Sequence, residues 1–527
     1  MNLITDQWIP VIRQNGQSDC IAPWQIAETE NPVIEITAPR PDFQGALYQF
    51  LIGLLQTNFA PEDEDQWLEY WEQPPSATVL QASLDKLAPC FELTSEQGPA
   101  FLQDFDLPDG EAKPIAALLI EAPGGKTLKD NLDHFIKRGS ANQLCPSCAA
   151  SALFTLQTNA PGGGRGHRAG LRGGGPLTTL VIPKATQTTL WQKLWLNVLN
   201  QEDHDSADNV NVSVLPWLGK TRTSEKGQMT MPGDVHPLHA YWGMPRRMRL
   251  ITTCESAVCD LCGSPADSIF REYCTKNYGT NYDGAWQHPL TPYRHDPKKV
   301  NPPLSLKGQQ GGLGYRHWLG LALQDETNGD RAAKLVQHYN RDRGRKLADR
   351  GGAALWCFGY DMDEKKSMKA RCWYETRFPV FYLSEQQQSN LTSWTSELID
   401  AARETVKILR GEVKAAWFRR PEDAKGDMSQ IDAQFWQATE AEFFCLLERL
   451  AVLPVDTRLV PAEHYVSWLN TLMSKMILVF ETATLTATPE DLDLKRIVNA
   501  KKAMLGRFRG NKIIKQLKAH ANAEEAA

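Results

Sequence analysis

The stretch SWTSELIDAARETVKILRGEVKAAW, residues 393–417, sets Leu398, Ala402, Val406, Leu409, Val413 and Trp417 three or four apart. That is the period of a helix with one apolar face, so the spacing predicts an amphipathic helix from Ser393 to Trp417. Phe435, Phe443, Leu446 and Leu450 carry the same period into a second helix, after which Pro454 and Pro461 interrupt the chain. Ala462 to about Thr484 and Pro489 to about His520 read as two more helices. Four helices with short connections imply an antiparallel four-helix bundle over residues 381–527. Upstream, residues 1–380 mix short apolar runs with many prolines and glycines, which predicts an irregular mixed α/β body. The expected class is therefore α+β with a C-terminal helical bundle.

At 527 residues, 42% hydrophobic and 23% charged, the chain has ample apolar material for more than one core, which excludes a disordered or collagen-like protein. Its formal net charge of −6 argues against binding nucleic acid by overall charge, so any such site must be a local basic patch. The opening MNLITDQWIPV lacks a basic segment followed by an apolar one, and no run of about 18 apolar residues occurs anywhere, so we expect a soluble, cytoplasmic protein without a membrane partner.

Eleven cysteines, an odd number spread thinly, do not make a disulfide scaffold. Two pairs have metal-ligand spacing: Cys145-Pro-Ser-Cys148 and Cys259-Asp-Leu-Cys262, the second followed by Gly263. Each can put two thiolates on one side of a tight turn, and together they complete a four-cysteine structural zinc site that clamps two distant segments. A redox pair is disfavoured because neither knuckle sits in a strand-then-helix context, and four unrelated core cysteines are the remaining alternative. Four protein ligands leave no position for a catalytic water.

Beyond the first knuckle, Ala149 to Leu156 reads as a short helix running into a glycine-rich loop. Eight of the fourteen residues from Gly162 to Gly175 are glycine, with Arg165, His167, Arg168 and Arg172 among them. Glycine allows close backbone approach and arginine supplies positive charge, so the loop reads as a polyanion contact in preference to a flexible surface loop. Gly164-x-Gly166-x-x-Ala169 imitates a dinucleotide fingerprint but follows a helix instead of a strand. Gly125-Lys126-Thr127 imitates a phosphate-binding loop, but Ile120 stands where its first glycine belongs. His236, His239 and the His295-Asp296 pair lack an evident catalytic partner set.

Charge is also segregated. Nine basic residues and no acid lie between Lys495 and Lys518, a run better explained by a polyanionic partner than by a solvated face. Arg341, Arg343, Arg345, Lys346 and Arg350 form a second basic stretch, and Lys365, Lys366, Lys369 and Arg371 a third, which follows acids and can be a salt-bridged turn. Glu62 to Asp65 with Glu69 and Glu72 is strongly acidic, a surface expected to face away from nucleic acid or toward a basic protein. On the residues alone, a nucleic-acid-binding protein outranks an enzyme; the alternative is a zinc-stabilised nuclease or NTPase using His295-Asp296 or Gly125-Lys126-Thr127.

The opening MNLITDQWIPV, a CxxC followed by a glycine loop ending Gly170-Leu-Arg-Gly-Gly-Gly-Pro-Leu-Thr-Thr179, a second CxxC-Gly and a terminal helical bundle occur in one order. This combination resembles the large subunit of the type I-E CRISPR Cascade complex, the CasA family, across essentially the whole chain. The resemblance implies a non-catalytic subunit that binds double-stranded target DNA, recognises the protospacer-adjacent motif from the minor groove and starts strand separation for the R-loop. It also implies the partners: other Cascade subunits, crRNA and a recruited helicase-nuclease.

By the same resemblance, Phe135-Ile136-Lys137 looks like the loop near the guide RNA's 5′ end, one residue shorter here. Gly162, Gly163, Gly164, Arg165 and Gly166 look like the loop that approaches the motif, with Arg165 standing where the relative has glycine. Gly284-Ala-Trp286 locates the minor-groove lysine nearby, making Lys276 the candidate, although ungapped counting reaches Asn277. The strand-separating wedge looks like Asp363-Glu364 after Gly359-Tyr360, an acidic pair, with Lys365 and Lys366 next to it.

Overall fold

A computed structural model describes residues 1–95, 98–107, 109–122, 139–163, 166–185, 187–201, 210–308, 311–363, 369–423, 425, 427–486 and 493–525. They form two compact units, Met1–Gln310 with Ala333–Arg377, and Gly311–Ala332 with Phe378–Ala527. Mixed helices and small antiparallel sheets make up the first unit and helices dominate the second, so the class is α+β with a C-terminal helical region.

The first unit is built around the helix Pro41–Asn58, which is buried on nearly every side: Phe43, Leu47, Phe50, Leu51, Leu54 and Leu55 are apolar, and Asp42, Gln49 and Gln56, seven apart, are buried with Tyr360, Arg172 and the Leu199 carbonyl as hydrogen-bond partners. Phe50 lies at its centre, edge-on to Trp8, Phe101, Phe154 and Trp242 at 5.5–6.0 Å. Edge-to-face packing of this kind adds about 0.5–1.5 kcal/mol per pair beyond area burial.

Three three-stranded sheets belong to this unit. Ile9–Arg13 pairs with Ser18–Ile21 and Val33–Ile36. Ile269–Lys276 lies between Glu111–Pro114 and Arg247–Thr253. Ala353–Asp363 lies between Thr178–Pro183 and Lys369–Pro379. Of the last two, one has its central strand end at Lys276, and the other starts directly after the glycine loop and runs to Asp363.

In the second unit the apolar stripe behaves as its period requires. Leu398, Ala402, Val406, Leu409 and Val413 are buried; Trp417 is exposed and its indole N–H donates to the Ala483 carbonyl at 3.0 Å. The helix starts earlier than the stripe, spanning Glu385–Trp417, because Ser384 and Gln387 form a reciprocal capping box. Ser429–Ala451 and Ala462–Thr484 follow. The last predicted helix is two, Leu494–Gly510 and Lys512–Glu525, with the break at Asn511, whose side-chain oxygen accepts from Ile513 and Ile514 and so opens a new helix. Gly311–Ala332, read from sequence as part of the body, packs with these helices instead: Tyr315 stacks on Phe443 at 4.2 Å and shares a 2.9 Å hydrogen bond with Thr439. Among the described residues no helix is long and apolar enough to cross a membrane.

Candidate nucleic-acid interface and metal centre

The four knuckle cysteines converge. Cys145 is the N-cap of the helix Pro146–Asn159 and Cys148 lies in its first turn, where the positive end of the helix favours a thiolate. Cys259 and Cys262 sit on the turn after the strand Ala257–Val258, which Gly263 closes with a positive φ of 74° and an N–H bonded to the Cys259 carbonyl at 2.9 Å. All four sulfurs lie within 4.8 Å of one another, and Cys145 Sγ and Cys262 Sγ are 3.7 Å apart. Tetrahedral zinc with bonds of about 2.3 Å separates its sulfurs by roughly 3.8 Å, so the donor set fits a metal ion.

Backbone hydrogen bonds hold the knuckles in register. The Asp260 carboxylate accepts from the Asn142 and Gln143 N–H groups at 2.6 and 3.0 Å, and Asp260 N–H returns a bond to the Gln143 carbonyl. The thiols compete for charge. Hydrogen bonds from Cys145 and Cys148 lower the pKa of Cys259, whereas Cys148 is pushed up by hydrogen bonding to both neighbours and by burial. Hydrogen bonding to Cys148 opposes the rise at Cys145, which Cys259 and burial nonetheless push up to about 12. A bound cation removes that competition by stabilising every thiolate at once.

The glycine loop begins where the same helix ends. Gly163 N–H donates to the His167 carbonyl at 3.0 Å, and Gly166, at φ 77°, accepts at its carbonyl from Tyr278 and Gly279 N–H at 2.9 and 3.2 Å. A Cβ at Gly166 would stand 2.5 Å from the Tyr278 nitrogen, so only glycine allows this approach. Lys276 ends its strand two residues before Tyr278, which itself has a positive φ of 64°. Fold and hydrogen bonding thus bring the loop and the Lys276-Asn277-Tyr278 segment together.

Beneath them lies Arg246, which the sequence reading overlooked. Its guanidinium donates to the Pro161 carbonyl and lies 3.7 Å from where a Cβ on Gly163 would be. Burial lowers its pKa to about 10, and burial together with this cation lowers that of His167. The sequence signal was the pair Arg246-Arg247, of which Arg247 is buried against Asp104 at 2.5 Å while Arg246 reaches the glycine loop.

Two loop cations are not open to a polyanion in the way the sequence suggested. Arg172 is buried and donates to Thr178, Thr291 and Gln49, while Arg168 donates to Ser224. The acidic surface at residues 62–72 meets the chain's own second basic stretch: Glu64 binds His338 at 2.7 Å and Arg343 at 3.1 Å, and Glu72 pairs with Arg350.

Phe135, Ile136, Lys137, Gly164, Arg165, Glu364 and Lys365 lie outside the described residues, as does Gly125-Lys126-Thr127. Asp363 ends the strand Ala353–Asp363, whose root is fixed by Tyr360 donating to the buried Asp42 at 2.5 Å. Asp296 caps its own turn, accepting from Lys298 and Asn301 N–H, and His239 bonds Tyr282 at 2.9 Å.

Comparison with known proteins decides the family. The family model for CRISPR-associated protein Cse1 matches residues 2–477. The chain belongs to the Cse1 family. This is the family its motifs resembled, the CasA large subunit of type I-E Cascade. Cse1 structures share its fold at low identity. Thermus thermophilus CasA (Cse1) aligns with TM-score 0.67 and 18% identity over 97% of this chain and 99% of its own. Thermobifida fusca Cse1 aligns with TM-score 0.66 and 17% identity over 99% and 98%. A chain from a structure described as a CRISPR RNA-guided surveillance complex aligns with TM-score 0.64 and 12% identity over 96% and 99%.

Proposed function

We propose that this Cse1 protein is the non-catalytic large subunit of an RNA-guided Cascade surveillance complex, working in the cytoplasm with crRNA and the other subunits. It binds duplex target DNA, checks the protospacer-adjacent motif and recruits the helicase-nuclease. The observation that carries the reading is the bracing of the glycine loop by the segment after Lys276, through Tyr278 and Gly279 N–H on the Gly166 carbonyl. A backbone edge without side chains and a nearby lysine suit the minor groove, where A·T and T·A present nearly the same acceptors. A reader of this kind accepts several related motifs and rejects others.

In this reading Gly162 to Gly166 approach the groove edge, Lys276 donates to its acceptors, and Asp363, Glu364 and Lys365 start the opening. Each stacking step opened costs about 1.4 kcal/mol on average, and guide pairing then replaces the lost duplex. Phe135, Ile136 and Lys137 are assigned to the guide RNA. The cysteine cluster holds structural zinc, tying the helix that leads into the glycine loop to the strand pair beside it.

The test is duplex opening by the assembled complex, followed at unpaired thymines, with and without this chain and with and without the flanking motif. Opening that requires both chain and motif is expected. Lys276→Ala should weaken binding to a motif-bearing duplex and spare a target already unpaired there; equal loss on both substrates would refute the lysine's role. For the metal, elemental analysis should find about one zinc per chain, lost together with stability in Cys145→Ser or Cys262→Ser.

A further inference from the structure

Arg246 is a largely buried cation with nothing of opposite charge to hold. Among the described residues no carboxylate pairs with it, and its Nε has no hydrogen-bond partner there. What it holds is backbone. Its guanidinium donates to the Pro161 carbonyl, where the chain enters the glycine loop, and lies 3.7 Å from where a Cβ on Gly163 would be. Its own main chain is locked to the helix Pro146–Asn159: Gln157 Oε1 accepts from the Arg246 N–H and Gln157 Nε2 donates to the Arg246 carbonyl, both at 3.0 Å. Gly279 packs on the same spot, since a Cβ there would stand 3.4 Å from the Arg246 Cα and run into the Pro245 carbonyl oxygen.

The chain leaving the loop is held in a similar way. Arg168 Nε donates to Ser224 Oγ at 2.9 Å, and the Ser224 N–H donates to the Tyr278 and Gly279 carbonyls at 3.1 Å each. These are the two residues whose N–H groups bond the Gly166 carbonyl. One arginine thus fixes the entry to the loop and another its exit, and both lead to the Tyr278-Gly279 segment. Glycine loses more backbone freedom on ordering than any other residue, so a glycine run keeps one shape only when groups outside it impose that shape.

On the reading that this loop meets the flanking motif, we propose that Arg246 and Arg168 are positioning residues that pre-organise it, so that motif discrimination depends on them although neither touches DNA. A loop already in its bound shape spares the ordering cost only on the duplex it fits. A duplex without the motif does not engage the loop in that shape and gains nothing from the two arginines.

The test uses Arg246→Gln and Arg168→Gln with two readouts. In the assembled complex, affinity for duplex with and without the flanking motif is measured over a range of salt. Each variant should lower the ratio of the two affinities about tenfold, a difference of about 1.4 kcal/mol, the scale of one more backbone residue to be ordered on binding. Affinity for the motif-free duplex and for a target already unpaired there should change less than about twofold. The slope of log affinity against log salt should not change, because a residue that met a phosphate would take about 0.9 from it. In the full-length chain alone, hydrogen exchange at the Gly163 and Gly170 amides should quicken about tenfold in both variants.

Arg168 is only half-buried, so its variant carries the test even where Arg246→Gln fails to fold. A slope lower by about 0.9 makes the arginine a phosphate contact, and equal loss on every substrate makes it a general structural support; either overturns the proposal. Unchanged exchange in both variants overturns it whatever the complex does. A complex of the unaltered protein that binds both duplexes alike overturns the motif reading itself, and faster exchange in the variants separates that case from a loop that never depended on the arginines.

Discussion

Two basic stretches that look alike in sequence have opposite fates. Arg341 to Arg350 folds onto the acids of residues 62–72: Arg343 is fully buried, bonds Glu64 at 3.1 Å and lies 4.2 Å over the Trp67 ring. Lys495 to Lys518 lies on two helices with most of its cations in solvent, and acids among the described residues meet three of the nine: Asp493 with Arg496, Glu481 with Lys501 and Glu412 with Arg507. The first run is anchored in the core through Arg343, although Arg341, Arg345 and Arg350 stay exposed, and the second is a surface throughout. A window of sequence counts like charges but is blind to the opposite charges that the fold brings from hundreds of residues away.

The comparison is most exposed to attack at Arg343. Arg343→Ala takes from Glu64 its buried guanidinium, leaving His338 and Lys346 beside it, and should lose about 3–5 kcal/mol, read by chemical denaturation. A loss below about 1 kcal/mol would place this stretch with the solvated charges. In the helical unit Glu412 is buried on its helix and Arg507 reaches it from the surface at 2.5 Å. Arg507→Ala should cost about 1–3 kcal/mol, because burial already raises the Glu412 pKa and the variant removes what opposes that. It is the one position where the exposed run should behave like the internal one.

Acid sharpens the contrast further. Burial pushes the Glu64 pKa up, but hydrogen bonds from His338 and Arg343 outweigh it and hold the carboxyl at about 2 against an ordinary 4.5. A depressed carboxyl stabilises fully above its unfolded pKa, so this contribution is complete above pH 4.5 and lost as pH falls toward 2. Discounted for solvent screening, about 1–2 kcal/mol should disappear over that window, and Glu64→Gln should flatten the stability profile there. The smallest effect on stability belongs to the exposed run: changing Lys502, Arg509 and Lys515 to Gln should alter stability by less than about 0.5 kcal/mol. If that face meets a polyanion, the slope of log affinity against log salt for duplex DNA falls by about 0.9 for each phosphate the variant no longer neutralises. An unchanged slope would reduce it to a solvated face.

Much of the site was legible because its signals are local. A CxxC knuckle is a turn within four residues, so each half of the metal centre was readable, and only their convergence over more than a hundred residues needed the fold. The glycine run was equally plain, but its register against Tyr278, the support from Arg246 and the burial of Arg172 were not. An arginine has the same letter whether it faces phosphate or a ring of threonines. The fifth helix was missed for a related reason: Asn511 is an ordinary polar residue until its side chain caps Ile513 and Ile514.

What the sequence determined by itself is whatever repeats or closes over a few residues: the apolar period from Leu398 to Val413, the two cysteine knuckles and the glycine run before Thr178. Tertiary structure alone decided which distant groups meet. It paired Glu64 with Arg343, set Gly166 against Tyr278, drew Gly311–Ala332 to the helical unit and enclosed Arg172 among Gln49, Thr178 and Thr291. Periodicity and turn chemistry are properties of neighbouring residues, whereas burial and charge pairing depend on which surfaces the packed core leaves facing one another.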